Sequence, residues 1–451
     1  MRGGCREHGQ GFGPLVLGIV ATAAFCAAAY AREPAPDALR LTLAEAVDRA
    51  RAESPRLARL RALESAADAG VREARALRTP FVDLSAGYTR YSDVPEYPPQ
   101  VPDGPAPVFL NIPDAWRARL GVTAPLYAGG RIDGGIVAAL RSRDAAGREI
   151  ETGDADLVLE TTVAYWWLVT ARESERVLGE GISAYEAHLA DARNRERLGM
   201  AARNEVLAVE VERDRAELAR LAAANGSAAA EASLARLLGF PPGARIEPVE
   251  PLEPAESPAE APGSLAEDAV ALRPERAALA ARLAAAEAVV RVERSAGRPQ
   301  VSVGAGWEYA NPSSRYLPPR PDWNDTWSVG IGLAFSVFDG GRASAAAARA
   351  ESEAVAIRRQ IDDLERGIRL EVTTRALDVE TARAAVEVAS RSVASAEENR
   401  RVSAERYRAG AGLSSELLDA ETGLLRAGLE RTDALARLRT AQARLDRAAG
   451  R

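Results

Sequence analysis

One phrase occurs twice in this chain. The segment RNRERLGMAARNEVLAVEVERD, residues 193–214, returns as AERYRAGAGLSSELLDAETGLL, residues 404–425, with Gly199 falling on Gly410, Glu205 on Glu416, Leu207 on Leu418 and Glu210 on Glu421 at an offset of 211. The same offset lays GVTAPLYAGGR (121–131) on GLAFSVFDGGR (332–342) and Trp116 on Trp327. Upstream the offset becomes 219, which aligns RTPFVDLSAGY (78–88) with GRPQVSVGAGW (297–307) and Pro55 with Pro274. The length difference falls in one segment per copy, residues 92–115 and 311–326, 24 and 16 residues long. A tandem duplication restricts the fold more than chain length does, because it demands one architecture built twice. We place the copies at 32–240 and 264–451. The stretch between them, 241–263, holds seven prolines and five glutamates in 23 residues and is expected to be an extended, solvated connector.

Two periodicities alternate within each copy. Trp327, Val329, Ile331, Leu333, Phe335 and Val337 occupy one face of a period-two segment, and Ser328, Gly330, Gly332 and Ser336 the other. The pattern recurs at Val301–Tyr309, Trp116–Leu126 and Val82–Tyr88, predicting strands over about 81–91, 116–126, 300–310 and 326–337. Strands of roughly 9–11 residues with an outward apolar face suit a lipid-embedded barrel. Four strands cannot close one, and an open edge is not tolerated in lipid, so several chains must share it; three would supply twelve strands.

The rest reads as helix. From Ser344 to Arg408 there is no proline and a single glycine, while Ile357, Ile361, Leu364, Ile368 and Val372 recur at three- and four-residue steps. Such a helix runs about 100 Å, and its counterpart covers about Ile136 to Arg197. Rods this long require neighbours along their length, and the abundant alanine lets those neighbours approach closely. The repeated phrase then marks two hairpin tips, near 199 and 410, and Gly129, Gly130, Gly340 and Gly341 mark the turns from strand into helix.

At the N-terminus Arg2 and Arg6 precede an apolar run from Leu15 to Ala29 and the small-residue site Ala29-Tyr30-Ala31. This order predicts a secretory signal over 1–31, cleaved after Ala31. A lipidated Cys26 is the competing reading, opposed by the bulky Phe25 before it. Both cysteines and His8 leave with the signal, so the exported chain keeps His188 alone as metal-ligating nitrogen or imidazole base. Neither a His/Cys metal site nor a Cys- or His-based triad can be assembled from that, and we expect no enzyme activity and no cofactor. His188 is expected on a helix surface. The net charge of −7 gives no support to nucleic-acid binding.

FDGGR at the strand-to-helix turn, RYRAG and SSELLDAE at the tip, and the duplicated strand-hairpin and helix-hairpin order resemble the TolC-type outer-membrane efflux proteins over essentially the whole mature chain. The resemblance implies a mainly α fold with membrane β: a homotrimer whose twelve-stranded barrel in outer-membrane lipid continues into a periplasmic α-helical barrel. It further implies the exit duct of a tripartite efflux or type I secretion system, in the outer membrane of a Gram-negative bacterium. The partners would be a periplasmic adaptor and an inner-membrane transporter of RND, ABC or MFS type. An adaptor or coiled-coil scaffold without a pore is the alternative, and dependence on detergent would separate them.

By the same resemblance the adaptor-docking tips fall on Arg197, Leu198, Gly199, Arg408, Ala409 and Gly410. The acidic constriction falls on Glu416 and Asp419, and a latch tyrosine on Tyr407, facing Glu205. The chain departs from the pattern at Gly412, where an arginine would be expected. Glu416 and Asp419, three residues apart, share a helix face, so a threefold assembly would gather their carboxylates about one axis.

Overall fold

A computed structural model describes residues 38–96, 110–254 and 262–451. The predicted signal over 1–31, with both cysteines, and most of the first variable loop lie outside the described residues.

The duplication is visible element by element. Strand β1 (Leu39–Leu41) leads into α1 (Leu43–Glu53) and α2 (Pro55–Ala76), then β2 (Phe81–Arg90), β3 (Asp114–Tyr127), α3 (Arg131–Arg197) and α4 (Arg203–Leu237). After β4 (Ile246–Pro248) the order repeats as α5 (Pro262–Leu272), α6 (Pro274–Arg294), β5 (Gln300–Asn311), β6 (Asn324–Ala334), α7 (Arg342–Arg408) and α8 (Ser414–Ala449). The outbound helices α3 and α7 are both 67 residues long, and the returning α4 and α8 are 35 and 36. Pro55 and Pro274, aligned in the repeat, are each the first residue of a helix, where the missing N–H costs nothing.

The four long strands form one antiparallel sheet in the order β2-β3-β5-β6. Its register confirms the two faces. Leu84, Leu120, Trp307 and Trp327 lie in one row across all four strands, and Val82, Val122, Ala305 and Val329 in another. The alternate rows read Ser85, Arg119, Glu308, Thr326 and Asp83, Gly121, Gly306, Ser328. Nothing in the described chain covers the apolar face, where Leu84 is 77% and Val329 66% exposed. Among the described residues the outer edges of β2 and β6 have no strand partner.

β6 is shorter than expected, ending at Ala334 rather than Val337. The period-two pattern runs on, but Ala334 pairs with Gln300, and the residue before Gln300 is Pro299, which has no N–H to extend the ladder. Beyond it Asp339 accepts from the backbone N–H groups of Gly341 (2.9 Å) and Ala343 (2.8 Å), starting α7. Gly129, Gly130, Gly340 and Gly341 all have positive φ, between +65° and +92°. At Gly129 the strain is joined by crowding, since a Cβ would stand 2.9 Å from that of Arg298, whose guanidinium donates to the Gly129 carbonyl.

The connector at 241–263 is not wholly solvated. β4 pairs in parallel with β1, and Ile246 is fully buried beside Tyr165, Leu168 and Leu234. The Tyr165 hydroxyl donates to the Leu41 carbonyl (3.1 Å) and accepts from the Glu250 N–H (3.3 Å). Prolines are compatible with so short a strand because it pairs on one side only.

A part-buried ionic cluster ties the halves together where the first turns of α2 and α6 and the last turn of α8 meet the interior of α3. Arg447 of α8, 9% exposed, binds Asp156 of α3 (2.7 and 3.0 Å) and Glu275 of α6, while Arg56 of α2 takes the other Asp156 oxygen (2.8 Å). Burial works against the Glu275 charge, but bonds from Arg447 and from its own helix backbone outweigh it, and the carboxyl sits below its usual range. A carboxyl depressed in the folded state stabilises above its unfolded pKa and loses that contribution as pH falls through the folded one. Arg447→Leu should therefore cost about 2 kcal/mol near neutrality, below the full penalty of a broken buried pair because Asp156 is part-exposed. The difference in melting temperature from the parent should shrink below the ordinary carboxylate value of 4.5, measurable by thermal melts in detergent.

Candidate functional site

The helices end together, far from the sheet, in two tips of identical construction. At the end of α7 the Gly410 N–H donates to Tyr407 O (3.1 Å) and the Ala411 N–H to Arg406 O (2.9 Å). At the end of α3 the Gly199 N–H donates to Glu196 O and the Met200 N–H to Arg195 O, each 2.9 Å. Each is a Schellman closure, in which the residue after the helix must turn left-handed; Gly199 has φ +71° and Gly410 φ +72°. The bonds consume carbonyls that would otherwise end the helix unsatisfied.

Arg197, Leu198, Gly199, Arg408, Ala409 and Gly410 are all exposed at these tips. Leu198 (73%), Met200 (72%) and Leu413 (66%) present apolar side chains there without cover. Met200 and Leu413 were missed from sequence; an apolar residue next to a tip glycine, where solvent would favour a polar one, is the signal that marks them.

The acidic positions separate. Glu205 and Glu416 are each the third residue of a returning helix, α4 and α8, where a carboxylate complements the exposed N–H groups and the macrodipole. Glu205 accepts from the Ala202 N–H (3.3 Å). Glu416 pairs with Arg406 of α7 (3.3 Å). Asp419 is exposed and has no ion-pair partner among the described residues. The repeated glutamate thus stands in the first turn of the returning helix in both copies, and of the three carboxylates Glu416 alone has an ion-pair partner among the described residues.

Tyr407 is buried at 4% exposure, and burial pushes its phenol upward from the ordinary value. Arg195 of α3 lies over its ring at 4.0 Å and donates to its carbonyl (2.9 Å). Glu205 is near enough to act on the Tyr407 hydroxyl electrostatically but makes no hydrogen bond to it. At Gly412 a Cβ would stand 3.1 Å from both Arg406 Cβ and the Tyr407 backbone nitrogen, so this bend fits closely against the last turn of α7. The cations that pack against Tyr407 and this bend are Arg195 and Arg406.

His188 is not on the helix surface. It is 4% exposed, on the inner face of α3 in line with Ile182, Tyr185 and Ala192. Its Nδ1 lies 2.9 Å from Glu421 Oε2 and its Nε2 3.0 Å from Ser414 Oγ, both on α8. An imidazole among apolar neighbours is tolerated here because both ring nitrogens find partners on the other hairpin.

The sequence matches the outer membrane efflux protein family over residues 46–240 and 265–451. It is 30% identical over 419 residues to protein CyaE of Bordetella pertussis, covering 91% of this chain and 84% of that protein. Among solved structures the fold is similar to the outer-membrane channel OprN, with a TM-score of 0.76 at 21% identity over 90% of this chain and 89% of that one. The outer membrane protein VceC of Vibrio cholerae superposes with a TM-score of 0.74 at 20% identity, over 90% and 96% of the two chains. With the repeat, the strand-hairpin and helix-hairpin order and the paired tips already in place, both halves of the chain fall within one assignment: it belongs to the outer membrane efflux protein family.

Proposed function

We propose that three copies of this chain form the exit duct of a tripartite efflux or type I secretion system in a Gram-negative outer membrane. The observation that carries the reading is the sheet: four antiparallel strands, one apolar face left bare, and two edges without partners. Lipid accepts the bare face but not the edges, and joining β6 of one copy to β2 of the next removes every edge at once. The long helices also leave apolar surface for neighbouring copies. Leu207, Val211, Leu218 and Leu221 of α4 and Leu370 and Leu377 of α7 are exposed and await such neighbours.

On this reading the helices line a periplasmic conduit. The tips, with Arg197, Arg408 and the bare Leu198, Met200 and Leu413, meet a periplasmic adaptor that links the duct to an inner-membrane transporter. Asp419 supplies the free carboxylate of the constriction, with Glu416 held back by Arg406. Mass determination of the complex in mild detergent tests this. We expect a homotrimer; a monomer whose strands still resist protease would overturn it.

A further inference from the structure

A hollow of about 720 Å³ lies where the strands hand over to the helices, and it touches both outer strands, β2 at Phe81 and β6 at Gly332. Strands at opposite edges of one sheet can line a single hollow only on its concave side. The register agrees. Phe81, Thr123, Gly304 and Gly330 form one row of the polar face, and Pro125, Ser302 and Gly332 the next. Little side chain rises from this floor: at Gly332 a Cβ would meet only the Ser302 hydroxyl oxygen, at 3.6 Å.

Phe81 breaks the polarity of the face. It is 68% exposed, with Leu77 at 53% on the same hollow, although the rows above carry Asp83, Arg119 and Glu308. The second copy of the repeat has Gln300 at the equivalent position, so building the strand does not require an aromatic ring. Two charges also line the hollow, Glu73 in the last turn of α2 and Arg131 as the first residue of α3. Neighbouring charges are neutralised, Asp68 by Arg72 and Asp133 by Arg78, whereas Glu73 and Arg131 have no ion-pair partner among the described residues.

We propose that this hollow binds a small zwitterion with an apolar body, its ring or chain against Phe81 and Leu77, its ammonium toward Glu73 and its carboxylate or phosphate toward Arg131. The site deepens the duct reading and rests on it, since that reading makes the concave face the wall of the conduit and the occupant a molecule in transit. Complementarity selects the class. A purely cationic ligand is opposed by Arg131 and a purely anionic one by Glu73, while a molecule with both charges answers each side chain. The volume falls within the roughly 300–1,000 Å³ of sites for drug-sized ligands. Apolar contact supplies the larger share of affinity, because both charged side chains are exposed and screened.

The test is a fluorescence titration of the purified full-length protein, held in amphipol so that no micelle takes up the probe. Three dansyl compounds share one ring system and differ in charge: Nε-dansyl-lysine is the zwitterion, dansylcadaverine the cation and dansylglycine the anion. The parent should bind the zwitterion about fivefold more tightly than either of the others at low salt. Phe81→Ala should weaken all three by about tenfold. Arg131→Gln should remove the advantage over dansylcadaverine, and Glu73→Gln the advantage over dansylglycine. A general folding defect would weaken every probe alike and could not produce this crossed pattern, so the two charge variants decide the matter if Phe81→Ala fails to assemble. Equal affinity of the parent for the three probes, undiminished binding by Phe81→Ala, or charge variants that keep the parent's preference would each overturn the site. The duct reading is judged separately, by mass: a homotrimer without the pattern keeps the duct and loses the site, whereas a monomer that shows the pattern sinks the duct and leaves the hollow a binding site.

Discussion

Val329→Arg is expected to remove the protein from the outer membrane, with Thr326→Arg retained as its control. Val329 lies at the middle of β6, in the row Val82, Val122, Ala305, Val329 that crosses the whole sheet, and is 66% exposed. An arginine on the lipid face near the bilayer midplane costs about 2–4 kcal/mol in a barrel strand. A threefold assembly repeats that cost in every copy, for roughly 6–12 kcal/mol in all. Thr326 is on the opposite face, in register with Glu308, so an arginine there meets a carboxylate and the proposed lumen. Immunoblots of separated inner- and outer-membrane fractions decide the matter. Survival of the first variant in the outer membrane, or loss of the second, would mean that the faces are assigned the wrong way round.

Gly410→Pro should leave the protein in the membrane and abolish transport. Gly410 has φ +72° and donates its N–H to Tyr407 O, and proline permits neither, since its ring fixes φ near −65°. The Schellman closure must then unravel, at a cost of about 3 kcal/mol or more, and the tip carrying Arg408, Ala409 and Leu413 is re-aimed. The change lies at the opposite end of α7 from the sheet, so insertion should not suffer. Gly410→Ala gives the graded comparison, because a left-handed alanine costs about 1–2 kcal/mol and keeps the N–H. Accumulation of a fluorescent pump substrate in cells, read beside the amount of protein in the outer membrane, separates the two effects. Normal export by the proline variant would show that this tip makes no contact needed for transport.

Much of this architecture was legible because its signals are long. Period two held over four strands, the helices excluded proline for more than sixty residues, and the repeat let each copy vouch for the other. Short and cross-chain features were not. β1 and β4 are three residues each and find one another across some two hundred residues, so no local pattern announces them. His188 sits at the three- and four-residue spacing of a core stripe, but a polar residue is buried only where partners meet it, and Glu421 and Ser414 are more than 220 positions away. The double duty of Glu205 and Glu416 could have been read, since each stands third in its helix just after a tip glycine, where a carboxylate serves the helix whatever else it does.

The two unpaired edges of the sheet have a genetic consequence. If closure needs every copy, a chain that folds its helices normally but presents a defective β6 can still recruit sound partners and spoil the ring they join. Equal expression of parent and such a variant would leave about one eighth of threefold assemblies free of the defect. Lesions in the strands should therefore be dominant in a cell carrying both alleles, whereas a chain truncated before β5, lacking half the sheet, should be recessive.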